Sequence, residues 1–493
     1  MELRSLTVLL GLDLGTRSAK ALLLHPDGSV AGEGAAPYAV RSPRPAFAET
    51  DPEAWWTAAR GAARAALCGR RGKVEAVGLA GQMHGVVLAG ADGRPLRPAI
   101  IWADTRSVGA LDAYRALDGD LRRRLGNPLA PGMAGPSLLW LRDHEADLYA
   151  RAAWALQPKD WLRLRMTGRA ASEPSDASGT LLYDLEADDW SGGVLDALGL
   201  RADLLAPLVG SDAVAGELDR EAAAHLGLQP GTPVAAGAGD TPAAALGAGL
   251  LDPGPVQLNL GTGAQLVAPL DRPLADPELR THLFRAAIRE RWYAVAAMQN
   301  AGLALEWVLG LLGVRWDQAY ELAFSARAGA SGVTFLPYLA GERTPHLDPA
   351  ARGAFSGLAL THGRADLVRA AFEGVAFAVR DGVEALETAG RTVARLELGG
   401  GGTLDPRWRQ LLADVLERPL RPVAAATSAR GAALLAGVAG GAWASVREAP
   451  AESGRAEAEI TPSVDREHYR DAYARFRALY PALSTGVAFS GEG

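Results

Sequence analysis

One cysteine, Cys68, stands in a chain of 493 residues. No intramolecular disulfide can form, so packing and hydrogen bonds must hold the fold, and a reducing compartment is the expected setting. Cys68 falls on the apolar side of an expected helix, where a buried, inert thiol is the reading. The chain has no apolar run long enough to span a bilayer. Its start, Met1-Glu-Leu-Arg-Ser-Leu-Thr-Val-Leu-Leu-Gly-Leu12, has the outline of a signal peptide, but Asp13 breaks it and no small-residue cleavage site follows. A cytoplasmic protein with no membrane partner is expected. Charge of one sign is scarce too: 50 Lys+Arg against 57 Asp+Glu leave a formal net charge of −7. That offers no basic face to nucleic acid. Neither a Walker sequence nor a dinucleotide fingerprint opens the chain, and His144-Glu145 lacks the helical His partner of a zinc motif. Any nucleotide must therefore be held by another arrangement.

What is present is ordinary globular composition, 48% hydrophobic and 22% charged. The length exceeds one core, so two or three domains are expected. Leu6–Leu14, Ser18–Leu24 and Val30–Val40 read as three strands, with Gly15-Thr16 turning the first into the second. Asp51-Pro52-Glu53 opens a helix. Val74–Ala80 and Ala99–Trp102 read as further strands that deliver Gln82-Met83-His84 and Asp104 to loops. Strands followed by alternating helix and strand make an α/β layout. The stretch from about Ser107 to Leu228 reads as mostly helical insertions roofing a pocket, with charges mostly on a solvated face.

Leu258-Asn-Leu-Gly-Thr262 echoes Leu12-Asp-Leu-Gly-Thr16 half a chain away. Each lies between apolar strands, so the spacing predicts a duplicated domain. The junction falls near Leu246–Pro255, giving units of 1–245 and 246–493 around a central cleft. Two Gly-Thr turns facing each other would present backbone N–H groups and hydroxyls to a polyphosphate. Asp13 is a hard-oxygen ligand suited to Mg²⁺ held by phosphates. Gly399–Gly402, between a strand and a helix, permits close approach of a phosphate or a flat ring. At the middle of the chain, Val234–Gly249 runs from strand through a Gly-rich turn into a small-residue helix. Asp240 ends the strand, Thr241 can cap the helix and Pro242 suits its first position. Locally, Asp240 reads either as a helix-start residue or as a general base over a cleft.

Taken together, these segments resemble one family, the FGGY carbohydrate kinases, and within it the xylulokinase branch. The resemblance is carried by Gly11-Leu-Asp-Leu-Gly-Thr16, Glu49-Thr-Asp-Pro-Glu-Ala-Trp-Trp56, Ala80-Gly-Gln-Met-His-Gly85, Ile100-Ile-Trp-Ala-Asp104 and Pro158–Gly168. It continues through Ser175–Thr180, Gly237-Ala-Gly-Asp240, Phe335–His346 and Trp408–Asp414. It implies an α/β fold of two actin-like (ribonuclease H-like) domains, the first for sugar and the second for nucleotide. It implies ATP-dependent phosphorylation of D-xylulose at its terminal hydroxyl, with Mg²⁺, and Asp240 as the base. Substrate contacts are implied for Gln82, Met83, His84, Trp102, Asp104 and Thr241, and nucleotide contacts for Gly15, Thr16, Gly261, Thr262, Gly302, Gly401 and Gly402. The implied partners are a small sugar and ATP, with a homodimer as the assembly considered. The chain departs from the branch at Ala103 and Thr241, where Asn is usual, at Arg17, and at the turn Gly261-Thr-Gly-Ala264. Alternatives are a kinase for another ketose or polyol such as ribulose, and an actin-like ATPase without sugar kinase activity.

Overall fold

The computed structural model describes residues 7–68, 73–400, 405–423, 427–450, 458–464 and 466–484. Among them, two large mixed sheets form the framework. The first half supplies β1 (Thr7–Leu14), β2 (Ser18–Leu24), β3 (Val30–Pro37), α1 (Pro52–Leu67), β4 (Lys73–Gly81), β5 (Val214–Glu217) and β6 (Pro233–Ala235). Helix α2 (Pro158–Thr167) belongs to the insertion, and α3 (Asp240–Gly247) leads into the second half. There follow β7 (Pro255–Leu260), β8 (Ala264–Leu270), β9 (His282–Arg285), β10 (Trp292–Met298), α4 (Gly302–Leu312), β11 (Arg395–Gly399), β12 (Leu420–Pro422) and α5 (Ser428–Ala439).

The first sheet has the order β5-β6-β4-β1-β2-β3 and the second β9-β10-β8-β7-β11-β12. In each, the central strand pairs antiparallel with its hairpin partner (β1 with β2, β7 with β8). It pairs parallel with the strand that arrives later (β1 with β4, β7 with β11). The echo at residues 12–16 and 258–262 is therefore two copies of one strand-turn-strand unit. Burial explains the composition of these strands: β1 is buried from Val8 to Leu14, as expected for strands covered on both faces.

Local rules account for α1, where the Asp51 carboxylate accepts the Glu53 amide and Pro52 takes the first position. Cys68 follows the last turn as its cap and is exposed, not buried, because it lies beyond the helix's apolar stripe. Helix α5 belongs to the second half of the chain yet packs on the first sheet. The contact is backbone to backbone: a Cβ on Gly11 or Gly78 would lie 1.9 Å from a carbonyl of α5. Its other face meets α3, where a Cβ on Gly431 would lie 1.9 Å from the Ala243 carbonyl. The halves also touch through β9. Asn127, in the insertion, pairs with both backbone polar groups of Leu283, and Ser178 accepts the Arg285 amide. Among the described residues, no helix is long and apolar enough to cross a membrane.

Candidate active site

The short strand Ala238–Gly239 lies beside Ala80–Gly81 of β4, so Asp240 and Gln82 leave the sheet at the same edge. Ligand sites in α/β sheets favour that edge. Gly239 caps α3 and Asp240 is its first residue. The expected Thr241 cap is thus displaced into the first turn, where its amide and hydroxyl donate to Asp240 Oδ1 at 2.7 and 3.4 Å. A helix N-terminus favours an ionised carboxylate, but exclusion of water outweighs it and lifts the Asp240 carboxyl to about 6.

Asp13 is buried near the end of β1, close enough to Asp240 for their charges to interact. Burial, then the Asp240 charge, push its carboxyl up to about 7 against the pull of Lys20. Its Oδ1 is buried with no hydrogen-bond partner. An orphaned hard oxygen beside a second carboxylate is a donor set that fits a divalent cation completed by water and phosphate oxygens. Among the described residues, no cluster of three or more His, Cys, Asp or Glu could hold a metal by itself.

The two Gly-Thr turns are braced differently. At the first, the Gly15 carbonyl accepts from the Tyr38 hydroxyl and from Gln82 Nε2. Trp102 Nε1 donates to Thr16 Oγ1 at 2.9 Å. At the second, the Thr262 carbonyl accepts the Ala301 and Leu303 amides, and the Gly261 carbonyl accepts the Gly302 amide at 2.9 Å. Gly302 thus packs on the turn, since a Cβ there would lie 2.6 Å from the Gly261 carbonyl oxygen. Gly401 and Gly402 lie outside the described residues.

Met83 and His84 line the same region. Met83 is buried, and its sulfur accepts from the Tyr293 hydroxyl at 3.7 Å, a contact from the second half. His84 sits at φ +74, and its Nδ1 lies 2.7 Å from the Gly179 carbonyl. A carbonyl only accepts, so Nδ1 carries the proton and Nε2 is left as an acceptor. Burial holds this ring neutral, with its value down at about 4. Trp102 is 39% exposed.

One site expectation is corrected here. Asp104 does not face the site: both its oxygens are taken by Arg106 and by the Ala48 and Arg106 amides, at 1% exposure. Gln82 Nε2 donates to the Gly15 carbonyl at 3.4 Å, and its buried Oε1 has no hydrogen-bond partner among the described residues. The insertion, whose charges were expected mostly on a solvated face, also holds a sealed cluster of them. Lys159, Asp160, Arg163, Glu173 and Asp176 are fully buried. Lys159 Nζ meets Asp160 at 2.7 Å, Glu173 at 3.1 Å and Asp176 at 3.2 Å. Three carboxyls against two cations cannot all ionise away from water, and burial holds Asp176 well above the ordinary carboxylate range. Through Ser175, which donates to Glu173 and accepts the Gly239 amide at 3.1 Å, the cluster fixes the residue before Asp240. Tyr293, Phe284 and His282 of the second half were not found from sequence. Apolar alternation in β9 and β10 marks them as core and gives no sign that Phe284 lies against His84, with His282 and Tyr293 packed on Phe284.

Comparison with known proteins identifies the family. The N-terminal domain model of the FGGY family of carbohydrate kinases matches residues 8–247, and its C-terminal domain model matches residues 256–440. A protein of Escherichia coli (strain K12) named xylulose kinase is 37% identical over 479 residues, 96% of this chain and 99% of that one. A Brucella ovis structure described as a xyloylose kinase superposes with a TM-score of 0.90 at 38% identity, covering 97% of this chain and 99% of its own. A Lactobacillus acidophilus structure described as a gluconate kinase gives a TM-score of 0.92 at 25% identity, with coverage of 97% and 99%. The chain belongs to the FGGY family of carbohydrate kinases: it has the two-domain actin-like fold and is a phosphotransferase acting on a sugar with ATP.

Proposed function

We propose that the acceptor is D-xylulose, phosphorylated on its terminal hydroxyl to xylulose 5-phosphate, with Asp240 as the general base. The observation that carries this reading is the pairing of Asp240 with an apolar, uncharged wall. Met83 and a neutral His84 offer a thioether surface and one ring acceptor, which suits an uncharged polyol. The xylulose kinase names of its relatives point the same way. With a carboxyl near 6, Asp240 is mostly ionised at neutral pH and still basic enough to take the hydroxyl proton as the γ-phosphoryl arrives. Thr16 and Thr262 present hydroxyls from the two turns to the phosphates. Asp13 Oδ1 is the atom that would hold Mg²⁺, whose contribution when bound is to neutralise phosphate charge. Thr241 would lie beside the attacking oxygen, because its own hydroxyl is already at Asp240.

A coupled assay of ADP release across D-xylulose, D-ribulose, D-gluconate and glycerol tests the assignment. The highest kcat/KM is expected with D-xylulose. A higher value with any other acceptor overturns the substrate assignment and leaves the kinase class standing.

A further inference from the structure

The loop Gly341–His346 fixes four of its residues and leaves one cation without a partner. Gly341 sits at φ +74, and a Cβ there would lie 2.7 Å from the Pro349 carbonyl oxygen. Glu342 is buried, with its carboxylate spent on the Gln299 and Arg343 amides and on Asn300. Thr344 donates to the Arg280 carbonyl at 2.8 Å and accepts the Ala297 amide at 3.1 Å. His346 stacks on Tyr480 with ring centroids 3.7 Å apart and pairs with the Tyr338 hydroxyl at 3.1 Å.

The Arg343 guanidinium makes no hydrogen bond or ion pair among the described residues, since its one acidic neighbour, Glu342, is committed to backbone amides. Arg343 is exposed, yet enough protein surrounds it for burial to pull its guanidinium below its ordinary value. Its neighbour Thr344 donates to the Arg280 carbonyl, just before His282, and His282 stacks on Phe284, which lies against His84. The groups that sense the Arg343 charge are His84 of the first half and His282 of the second, both neutral. The loop that carries Arg343 therefore runs beside β9 at the His84 end of the site.

We propose that Arg343 is the contact by which the second half of the chain recognises the acceptor. Its guanidinium donates to oxygen atoms at the end of the sugar remote from the phosphorylated hydroxyl. The inference rests on the acceptor lying between Met83–His84 and Asp240, as proposed above. A keto or hydroxyl oxygen would accept one or two neutral bonds there. A carboxylate, as in an aldonate, would accept a charge-assisted fork. Guanidinium planarity makes the contact directional, so lysine is a poor substitute.

The test is Arg343→Met, with Arg343→Lys beside it, assayed with each member of the acceptor panel. With whichever acceptor the wild type prefers, Arg343→Met should raise the sugar KM about 10-fold or more while the ATP KM stays within about twofold, the size of one or two lost hydrogen bonds. Arg343→Lys should recover only part of the loss. Both variants should keep the wild-type Tm, because the side chain has no partner to lose. An unchanged sugar KM, or a rise in the ATP KM instead, overturns the proposal. Preference of the wild type for an acceptor other than xylulose overturns only the substrate assignment, since Arg343→Met is then judged on that preferred acceptor.

Discussion

The two halves of the chain build the same turn and equip it differently. Asp13 and Asn259 occupy the same place in their hairpins, opposite Lys20 and Gln265 on the antiparallel side and Ala80 and Gly399 on the parallel side. The first turn is held by side chains: Tyr38, Gln82 and Trp102. The second is held by main chain, through the start of α4. A duplicated scaffold has thus become an acidic, side-chain-supported half and a neutral, backbone-clamped half. Chemistry that moves a proton needs the first. On the proposed function both turns hold phosphate, the second by main chain and the first with side chains.

The strongest break of this asymmetry is Asp240→Asn. Asn keeps the size and the bonds from Thr241 but cannot take a proton. We expect kcat to fall by roughly 10²–10⁴, with sugar and ATP still bound and the Tm preserved. A folded variant with wild-type kcat would remove Asp240 from the chemistry.

Next is Asp13→Asn, which gives the first turn the residue the second already has. Its apparent Mg²⁺ requirement should rise by about 10–10²-fold, the loss of one charged contact. The pH profile gives a second readout. A base acts when deprotonated, so the rate should rise with pH through the range of about 6 to about 7 set by Asp240 and Asp13 as a coupled pair. Removing the like charge at position 13 should move that acid limb to lower pH. Stability should change the other way from activity. Asp13 is raised above its ordinary value, so its contribution is complete at low pH and is lost as pH rises through about 7. Unliganded Asp13→Asn should therefore be more stable than the wild type at pH 8, by on the order of 1–3 kcal/mol. A limb that does not move, or a lower Tm at pH 8, would mean the two carboxyls do not interact.

The duplication was legible from five residues because a strand-turn-strand unit writes its period and its Gly-Thr turn into local sequence. Asp240 was legible as a strand-end carboxylate, and His84 as a loop residue at the right edge. Asp104 was misplaced because family position says nothing of which way a carboxylate turns, and Arg106, two residues on, captures it. The buried charges of α2 and residues 173–176 were misread because a Lys or Asp in an amphipathic helix looks the same whether it meets solvent or a sealed partner. The residues that β9 and β10 bring to His84 depend on how the halves meet, and no local pattern encodes that.

A sharper contrast pairs Gly302→Ala with Gly15→Ala. A Cβ at 302 would lie 2.6 Å from the Gly261 carbonyl oxygen, and main chain on both sides cannot yield cheaply. At 15 the nearest atom is the Ser18 carbonyl oxygen at 3.3 Å, which a small shift relieves. Overpacking of the first kind costs about 1–3 kcal/mol. ATP KM should rise about 10-fold for Gly302→Ala and stay within about twofold for Gly15→Ala. Equal effects would mean that the backbone clamp is not what shapes the second turn.

The smallest expected effect comes from Trp102→Phe. The ring stays, so any apolar face it offers the acceptor stays too, and only the Nε1 bond to Thr16 Oγ1 is lost. Among the described residues, Thr262, the counterpart of Thr16, has no such brace, and its main chain is bonded to the start of α4. If side-chain bracing matters at the first turn, freeing the Thr16 hydroxyl should cost one neutral hydrogen bond, about 0.5–1.5 kcal/mol, or roughly 2–10-fold in ATP KM. Sugar KM should move less, because the indole nitrogen is already committed to Thr16. Thr262→Val gives the reference for a hydroxyl lost without a brace. Combining it with Trp102→Phe should multiply the two effects, as expected for turns that grip the nucleotide independently. A sugar KM that rises more than the ATP KM in Trp102→Phe would move the indole nitrogen from the phosphate turn to the acceptor.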